Sequence, residues 1–226
     1  MATDISDPTE LLRWWHQYQA QMLIQEADFV RNGVLQDLVA IRRRLEVSYP
    51  QPLGASDSDG EPQLAELTRL YGLLETFCDR LPSPFIADSL PLALQHAMRP
   101  WQTVLNLQMQ LPSAWPTEPL EQAQLLTVLM KALLSRLAEN PCIPAATTLT
   151  MGATDAHKAL AFQAQYAAPL APSLVQQIET TLQPFLATFR LFTKANCAVL
   201  FQTDGFSLKL GWQTSAPPLP THSSES

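Results

Sequence analysis

The residue types that could carry catalysis or bind a metal are few in this chain and stand far apart. Its four histidines form no helical His-x-x-x-His pair and have no cysteine nearby, so the sequence offers little support for a zinc site. Its three cysteines are an odd number in apolar settings, which indicates reduced core thiols rather than disulfides. No Gly-x-Ser-x-Gly element and no phosphate loop is present. The residues concerned are His16, His96, His157, His222, Cys78, Cys142 and Cys197.

Composition and charge are those of a folded protein that binds neither nucleic acid nor membranes. Of the 226 residues, 46% are apolar and 15% are charged, which is typical of globular chains. The net charge of −7 argues against a nucleic-acid partner. No run of about 18 apolar residues occurs, and the acidic N-terminal segment lacks the apolar stretch of a signal peptide. We therefore expect a cytoplasmic protein.

A long helix is predicted near the start of the chain, where Asp7 is a suitable N-cap and Pro8 a suitable first residue. Apart from Gly33, no helix breaker follows before Pro50, so the helix would have about 40 residues and would need a partner along its length. Its apolar face is interrupted by Arg31. This face consists of Ile24, Ala27, Val34, Leu38, Ile41 and Leu45.

A second amphipathic helix is predicted from Gln63 to Leu81, after a loop of turn-forming residues. Two such helices form a hairpin with one apolar face, and a hairpin buries that face best against a copy of itself. The sequence therefore predicts a homodimer held together by a four-helix bundle. The apolar face of the second helix consists of Leu64, Leu67, Tyr71, Leu74, Cys78 and Leu81.

The second half of the chain alternates between strand and helix patterns, which predicts a small α/β sandwich. A strand is expected from Thr103, and Pro184 should kink or break the last helix. The dipeptide Asp204-Gly205 is a strong hairpin signal. The remaining helices and strands are expected at Glu118–Glu139, Thr147–Met151, Ala159–Tyr166, Ser173–Thr193, Ala198–Thr203 and Phe206–Gln213.

The predicted fold class is therefore α+β, with a long antiparallel helical hairpin followed by the sandwich. We place the helical-hairpin domain, including a short connecting helix, at residues 1–101 and the sandwich at residues 102–214. Residues 215–226 are rich in serine and proline and are predicted to be a disordered tail.

One segment of the first helix, Arg31-Asn-Gly-Val-Leu-Gln-Asp-Leu38, resembles the phosphoacceptor box of sensor histidine kinases of the nitrate-sensor type. That family reads His-Asp-Gly-Val-Leu-Gln-x-Leu, so the glycine, valine, both leucines and the glutamine match. The phosphoacceptor histidine is replaced by Arg31 and the acidic general base by Asn32. A guanidinium stays protonated at neutral pH and cannot attack ATP.

The resemblance extends in the same order to about residue 213 and implies that the sandwich corresponds to the family's ATPase domain. Arg80-Leu-Pro-Ser-Pro84 and Leu90-Pro-Leu-Ala-Leu94 stand where the family's second helix ends and its connecting helix begins. The family then binds Mg-ATP through a Glu-Ala-Leu-x-Asn pattern with a histidine four residues on. Here these positions are Lys131, Ser135 and Glu139, a degenerate nucleotide site.

Glycine is also missing where the family needs it. The Asp-x-Gly-x-Gly element is absent after Tyr166, and the seven glycines of the chain form no Gly-x-Gly pair. Residues with a Cβ atom do not let a phosphate approach the backbone as glycine does. We therefore expect no ATP binding in the family's manner, no cofactor and no enzymatic activity.

What the resemblance implies is a catalytically inactive dimer that binds a response regulator receiver domain or a histidine kinase. In active relatives the receiver docks around the phosphoacceptor. The corresponding surface here consists of Asp28, Arg31, Asn32, Leu35, Phe77 and Arg80. One alternative is a histidine phosphotransferase, which would need His16 as a shifted acceptor. Another is a dimeric adaptor or assembly factor for an unrelated complex, which would use Trp14, Trp15 and the tail.

Overall fold

The structure is a computed structural model, and it describes residues 7–30, 33, 35–48, 65, 68–72, 74, 83, 85–154 and 156–213. They belong to two compact units. The helical unit is Arg13–Pro82, and the sandwich unit is Ser83–Ser226 together with Met1–Leu12. Within the described part of the chain, no helix has both the length and the apolar character needed to cross a bilayer.

The first helical stretch contains two α-helices, α1 (Pro8–Phe29) and α2 (Leu35–Ser48). Asp7 caps α1, because its Oδ1 accepts a hydrogen bond from the Thr9 amide at 3.1 Å. Between the helices, Val30 and Gly33 have π-helical geometry. The described residues thus form two α-helices, and the predicted single helix of about 40 residues is not confirmed. A π-helical turn widens the helix locally. Glycine is one of the weakest α-helix formers, so its presence here is consistent with a local departure from α-helical geometry.

Part of the predicted second helix is described, at residues 65, 68–72 and 74, and these residues are helical. Arg69 Nη2 lies 3.4 Å from Asp37 Oδ1 of α2. Because the two residues are 32 positions apart, this exposed ion pair brings α2 and the later helical residues side by side. The other residues of the predicted second helix lie outside the described residues.

Residues 85–154 and 156–213 of the sandwich unit form three helices and one five-stranded sheet with strand order β1-β2-β3-β5-β4. Strand β1 runs parallel to β2, and every other neighbouring pair is antiparallel. The predicted start of a strand at Thr103 is wrong, since α3 continues through Pro100 to Val104. In chain order the elements are α3 (Leu90–Val104), β1 (Leu107–Gln110), α4 (Leu120–Ala138), β2 (Ala146–Ala153), β3 (His157–Gln165), α5 (Pro172–Thr193), β4 (Asn196–Gln202) and β5 (Gly205–Gln213).

The core lies between one face of the sheet and the helices. Burial alternates along β3 and β5, as expected for a sheet that is covered on one face. Helix α4 packs beside both α3 and α5. Its fully buried side chains repeat at helical spacing and include Leu125, Leu129, Leu133 and Leu137.

Two breaker residues act differently from their sequence signals. Helix α5 is continuous through Pro184, so the predicted break does not occur. The predicted hairpin is confirmed, but its turn consists of Thr203 and Asp204, so Gly205 is the first residue of β5 and is not in a left-handed conformation. A Cβ atom on Gly205 would lie 2.5 Å from the Ala164 carbonyl oxygen of β3. Glycine is needed there because β3 and β5 come close, not because the turn requires it.

Candidate functional site

The predicted docking surface lies in the helical unit, where the structure describes two of its six residues. Asp28 lies in α1, and Leu35 begins α2, so they stand on opposite sides of the π-helical residues. Arg31, Asn32, Phe77 and Arg80 lie outside the described residues. Their assignment to a docking surface therefore stays a prediction.

Most described side chains of the two predicted apolar faces are exposed in the single chain. Ile24 is 61% exposed and Tyr71 is 71% exposed, although periodicity places both on the faces that a bundle would bury. Ile41 is the exception, because it is buried. We call the exposed set the open seam; it consists of Ile24, Leu38, Tyr71 and Leu74.

An aromatic cluster lies near the start of the helical unit. The ring centroids of Trp14 and Tyr18 are 5.5 Å apart, and the rings of Trp15 and Tyr18 stack at 6.1 Å. Burial raises the pKa of the Tyr18 phenol. His16 is exposed on α1 next to this cluster. The cluster gives Trp15 a packed environment, whereas the His16 imidazole stays in contact with solvent.

The degenerate nucleotide site lies in the second half of α4 and at its C-terminal end. Lys131 and Ser135 are half-buried, and Glu139 is exposed and caps the helix through a backbone hydrogen bond to Ser135. Glu139 Oε2 lies 3.1 Å from a nitrogen of Arg136. An exposed pair of this kind contributes little to stability, but it offsets the charge of the arginine.

A groove of about 380 Å³ runs between α4 and α5 beside these residues. Its size is within the range of small-molecule sites, but its lining is polar and largely exposed, unlike that of typical ligand pockets. Among the described residues that line it, the one cation is already paired with Glu139, and none is a glycine that would let a phosphate reach the backbone. The groove is lined by Arg136, Ser173, Gln176, Gln177, Thr180 and Thr181.

A buried ion pair in the sandwich unit was not predicted from the sequence. Lys158 of β3 is fully buried, and its Nζ lies 2.9 Å from Oε1 of Glu118, whose side chain is 2% exposed. The same Nζ donates to the carbonyl oxygens of Pro116 and Thr117, at 3.4 Å and 3.3 Å. Buried charges need partners of this kind, because leaving water costs several kcal/mol for each ion.

Two indole groups bind one oxygen of the Glu118 carboxylate, whereas the other oxygen, Oε2, is buried without a hydrogen-bond partner among the described residues. Oε1 accepts hydrogen bonds from Nε1 of Trp115 at 3.1 Å and from Nε1 of Trp212 at 3.3 Å. Trp212 also packs edge-on against Phe189 of α5. The sequence did contain a signal: Leu160 and Phe162 point inward, so the alternation of β3 places residue 158 inward as well.

Tyr166 is a further buried titratable group of the sandwich unit. Burial, with a smaller contribution from Cys142, raises the pKa of the Tyr166 phenol to about 12. Its hydroxyl has no hydrogen-bond partner among the described residues.

Residues 85–154 and 156–213 hold no cluster of three metal-ligating side chains, and neither do the described residues of the helical unit. The described residues thus show no candidate metal site.

Comparisons with known proteins return likenesses of structure only. No family profile matches the chain, and no curated protein matches its sequence. A bacterial phosphotransferase is similar with a TM-score of 0.48 and 9% identity, over 84% of this chain and 96% of the other.

Two histidine kinases are similar at the same level. For the Acinetobacter baumannii histidine kinase AdeS the TM-score is 0.43, with 10% identity over 80% of this chain and 96% of the other. For the histidine kinase domain of the Erythrobacter litoralis EL346 blue-light activated histidine kinase it is 0.41, with 9% identity over 88% of this chain and 94% of the other. All three scores are below 0.5, so we base no argument on them.

Proposed function

We propose that this chain is a catalytically inactive, histidine-kinase-like binding protein of the cytoplasm. It forms a homodimer through its helical unit and docks a response regulator receiver domain or a histidine kinase in two-component signalling. The observation that carries the proposal is the open seam, together with the distorted helix beside the segment that resembles a phosphoacceptor box.

The open seam supports dimerisation. Side chains of a helical face are normally covered, and burial contributes about 25 cal/mol per Å² of apolar surface removed from water. Ile24 and Leu38 lie on one predicted face, and Tyr71 and Leu74 on the other. A second copy would present the same faces, and a two-fold axis would let each cover the other.

The π-helical residues support a binding role for the neighbouring surface. Single π-helical turns inside α-helices often occur at functional sites. Val30 and Gly33 flank the positions where the family carries its acceptor histidine and general base. Among the described residues, a Cβ atom on Gly33 would meet the Phe29 ring at 3.8 Å, an ordinary contact distance, so these neighbours do not require glycine here.

The proposed lack of kinase activity is supported by the side chains at two places, the position of the family's acceptor histidine and the position of its nucleotide site. Arg31 stands at the acceptor position and cannot accept a phosphoryl group from ATP as histidine does. In the sandwich unit, the groove beside Ser135 lacks the glycines and the free cation that would hold phosphates. We expect no measurable affinity for Mg-ATP by calorimetry, and a micromolar dissociation constant would refute this part.

The dimer is tested by sedimentation velocity on the full chain at low micromolar concentration. Replacing Ile24 and Tyr71 by Asp should halve the molecular mass, because paired carboxylates cannot be buried in the bundle. Ile143→Asp is the matched control, since Ile143 is equally apolar and is exposed in the sandwich unit. A wild-type monomer would contradict the proposal, as would a double variant whose mass equals that of the wild-type chain at the same concentration.

The docking surface is tested by affinity capture from native cells with the full chain. We expect the wild-type chain to capture a response regulator or a histidine kinase and the Arg31→Glu variant to lose it. Arg43→Glu is the control, because Arg43 is exposed on α2 and outside the box. Partners unrelated to two-component signalling and insensitive to Arg31 would favour the adaptor function instead.

A histidine phosphotransferase is the second candidate, and the exposure of His16 favours it. Incubation with a phosphorylated receiver domain would then give an acid-labile phosphoryl group on the protein. That label would disappear in a His16→Gln variant. We expect no label in either protein, because His16 lies about four turns from the box.

A further inference from the structure

The two edges of the sheet differ in how they are protected from other chains. Strand β1 has only four residues, includes two glutamines, and is followed almost at once by Pro112. Short edge strands and nearby proline are common devices against strand pairing. Strand β4 has seven residues, Asn196–Gln202, and contains neither a charge nor a proline. The second edge therefore lacks these devices.

The hairpin register shows which backbone groups of β4 face outward. Gln202 and Gly205 are the last paired residues before a two-residue turn, so they form the hydrogen-bonded pair that closes it. Pairs alternate from there along an antiparallel ladder. Cys197, Val199 and Phe201 therefore direct their N–H and C=O groups away from β5.

Little covers these outward groups. Arg190 Nη2 donates to the Cys197 carbonyl oxygen at 2.8 Å, and this carbonyl keeps a second lone pair. In the described part of the chain, Val199 and Phe201 have no bond to another backbone group on that side. Both the N–H and the C=O of each residue are thus available to an added strand.

We propose that β4 pairs antiparallel with β4 of a second copy, about a two-fold axis at Val199. This register brings outward-facing residues together, with two backbone hydrogen bonds at each of three facing pairs. The facing positions are Val199 with Val199, Cys197 with Phe201, Ala198 with Leu200, and Asn196 with Gln202.

The strand is complementary to itself in this register, as a two-fold interface requires. Leu200 is 55% exposed and would face the small Ala198 of the second copy, and the reverse contact occurs by symmetry. Amide side chains would face each other at both ends of the paired segment. The paired segment itself contains no charged residue, so a second copy fits this edge better than a charged peptide does.

This interface is separate from the helical dimer and does not depend on it. A chain with two different two-fold interfaces forms a closed tetramer or an open array, according to the angle between the axes. The test therefore uses the full chain with Asp at positions 24 and 71, in which the helical dimer is not expected.

Sedimentation equilibrium at rising protein concentration measures the association of this variant. We expect a monomer–dimer equilibrium that is lost when Leu200→Lys is added, since a lysine at an edge opposes pairing. Leu120→Lys is the control, because Leu120 is exposed on α4 and should leave the equilibrium unchanged. A variant that stays monomeric at high micromolar concentration overturns the proposal. A variant that keeps the wild-type mass with or without Leu200→Lys overturns it too, and also counts against the helical dimer.

Cross-linking tests the register. Facing hydrogen-bonded residues have Cα atoms about 5.5 Å apart, which a disulfide can span. In a chain with Cys78 and Cys142 replaced by Ser, Val199→Cys should give a disulfide-linked dimer on mild oxidation. Ala198→Cys should not, because residue 198 does not face its own copy. Equal cross-linking of both variants, or none of Val199→Cys, overturns the proposed pairing.

Discussion

The sandwich unit completes its own interior, whereas the helical unit leaves much of its apolar surface open. In the sandwich, Leu129 and Phe162 lie at the spacing that periodicity predicts and are fully buried. In the helical unit, Ile24 and Tyr71 also lie where periodicity predicts, yet most of their surface is exposed. The same kind of pattern thus corresponds to a core in the sandwich unit and, as we propose, to an interface between chains in the helical unit.

The largest expected difference between the units comes from deleting one side chain in each. Phe162→Ala should lower the free energy of unfolding by about 3–5 kcal/mol, because it leaves a cavity between sheet and helices. Ile24→Ala should change it by less than about 0.5 kcal/mol in dilute solution, since an exposed side chain has little to lose. Urea unfolding of both variants, at protein concentrations below those at which the chain is expected to dimerise, measures the two free energies. A large effect of Ile24→Ala there would mean that the helical unit has its own closed core.

The next largest effect concerns the one buried ion pair described in the sandwich unit. Lys158→Met should cost about 3–5 kcal/mol, because Glu118 then stays buried without a cation. Adding Glu118→Gln should recover more than half of that loss. The amide oxygen still accepts from both indoles and carries no charge. Thermal unfolding of the single and double variants decides this, and a double variant as unstable as Lys158→Met would show that the pair's charge is not the cause.

The close approach of β3 to β5 at Gly205 should have a smaller effect on stability. Gly205→Ala places a Cβ atom 2.5 Å from the Ala164 carbonyl oxygen, so the β3–β5 pairing must shift, at a cost of about 1–3 kcal/mol. Gly152→Ala is the matched control, because nothing lies within 4 Å of its added Cβ. Chemical denaturation of the two variants should separate them. Equal stabilities would contradict the close approach.

The smallest effect is expected from Tyr166, whose phenol should make stability fall at alkaline pH. The unfolded chain loses the Tyr166 proton at the ordinary pKa of 10.0, whereas the folded chain holds it to about 12. The unfolded state binds fewer protons in that range, so stability falls as pH rises through it. Tyr166→Phe should lower this dependence and leave stability at neutral pH nearly unchanged, because the hydroxyl lacks a partner among the described residues. The free energy of unfolding of both proteins is measured at pH 8 and at alkaline pH. The loss of stability between the two pH values should be smaller for Tyr166→Phe than for the wild-type chain.

The sandwich was largely predictable because its signals are local. Alternation and helical spacing place β2, β3, α4 and α5 within about three residues of their observed limits, and Asp204-Gly205 locates the last hairpin. Lys158 is not predicted as a core residue because it lies just before the strand expected at Ala159–Tyr166. Its role depends on Glu118 and Trp212, which no pattern within β3 can indicate.

The helical unit was less predictable for a physical reason. Gly33 indicated a weak point in the helix, but π-helical geometry depends on the packing of neighbouring turns rather than on a sequence signal. The apolar faces predicted a partner, which a single chain does not contain. Of the docking residues, Asp28 and Leu35 are placed on helices and the rest lie outside the described residues, so the site itself stays a prediction.

The contact between Glu118 and Trp212 has a consequence for how the chain folds. The two residues are 94 positions apart, and β5 lies between β3 and β4 in the sheet although it is synthesised last. Lys158 and Glu118 therefore leave the ribosome before the strand that completes their surroundings. Contacts of such high sequence separation slow folding, because loop-closure entropy must be overcome before they form. We expect the nascent sandwich to stay incomplete until β5 is released.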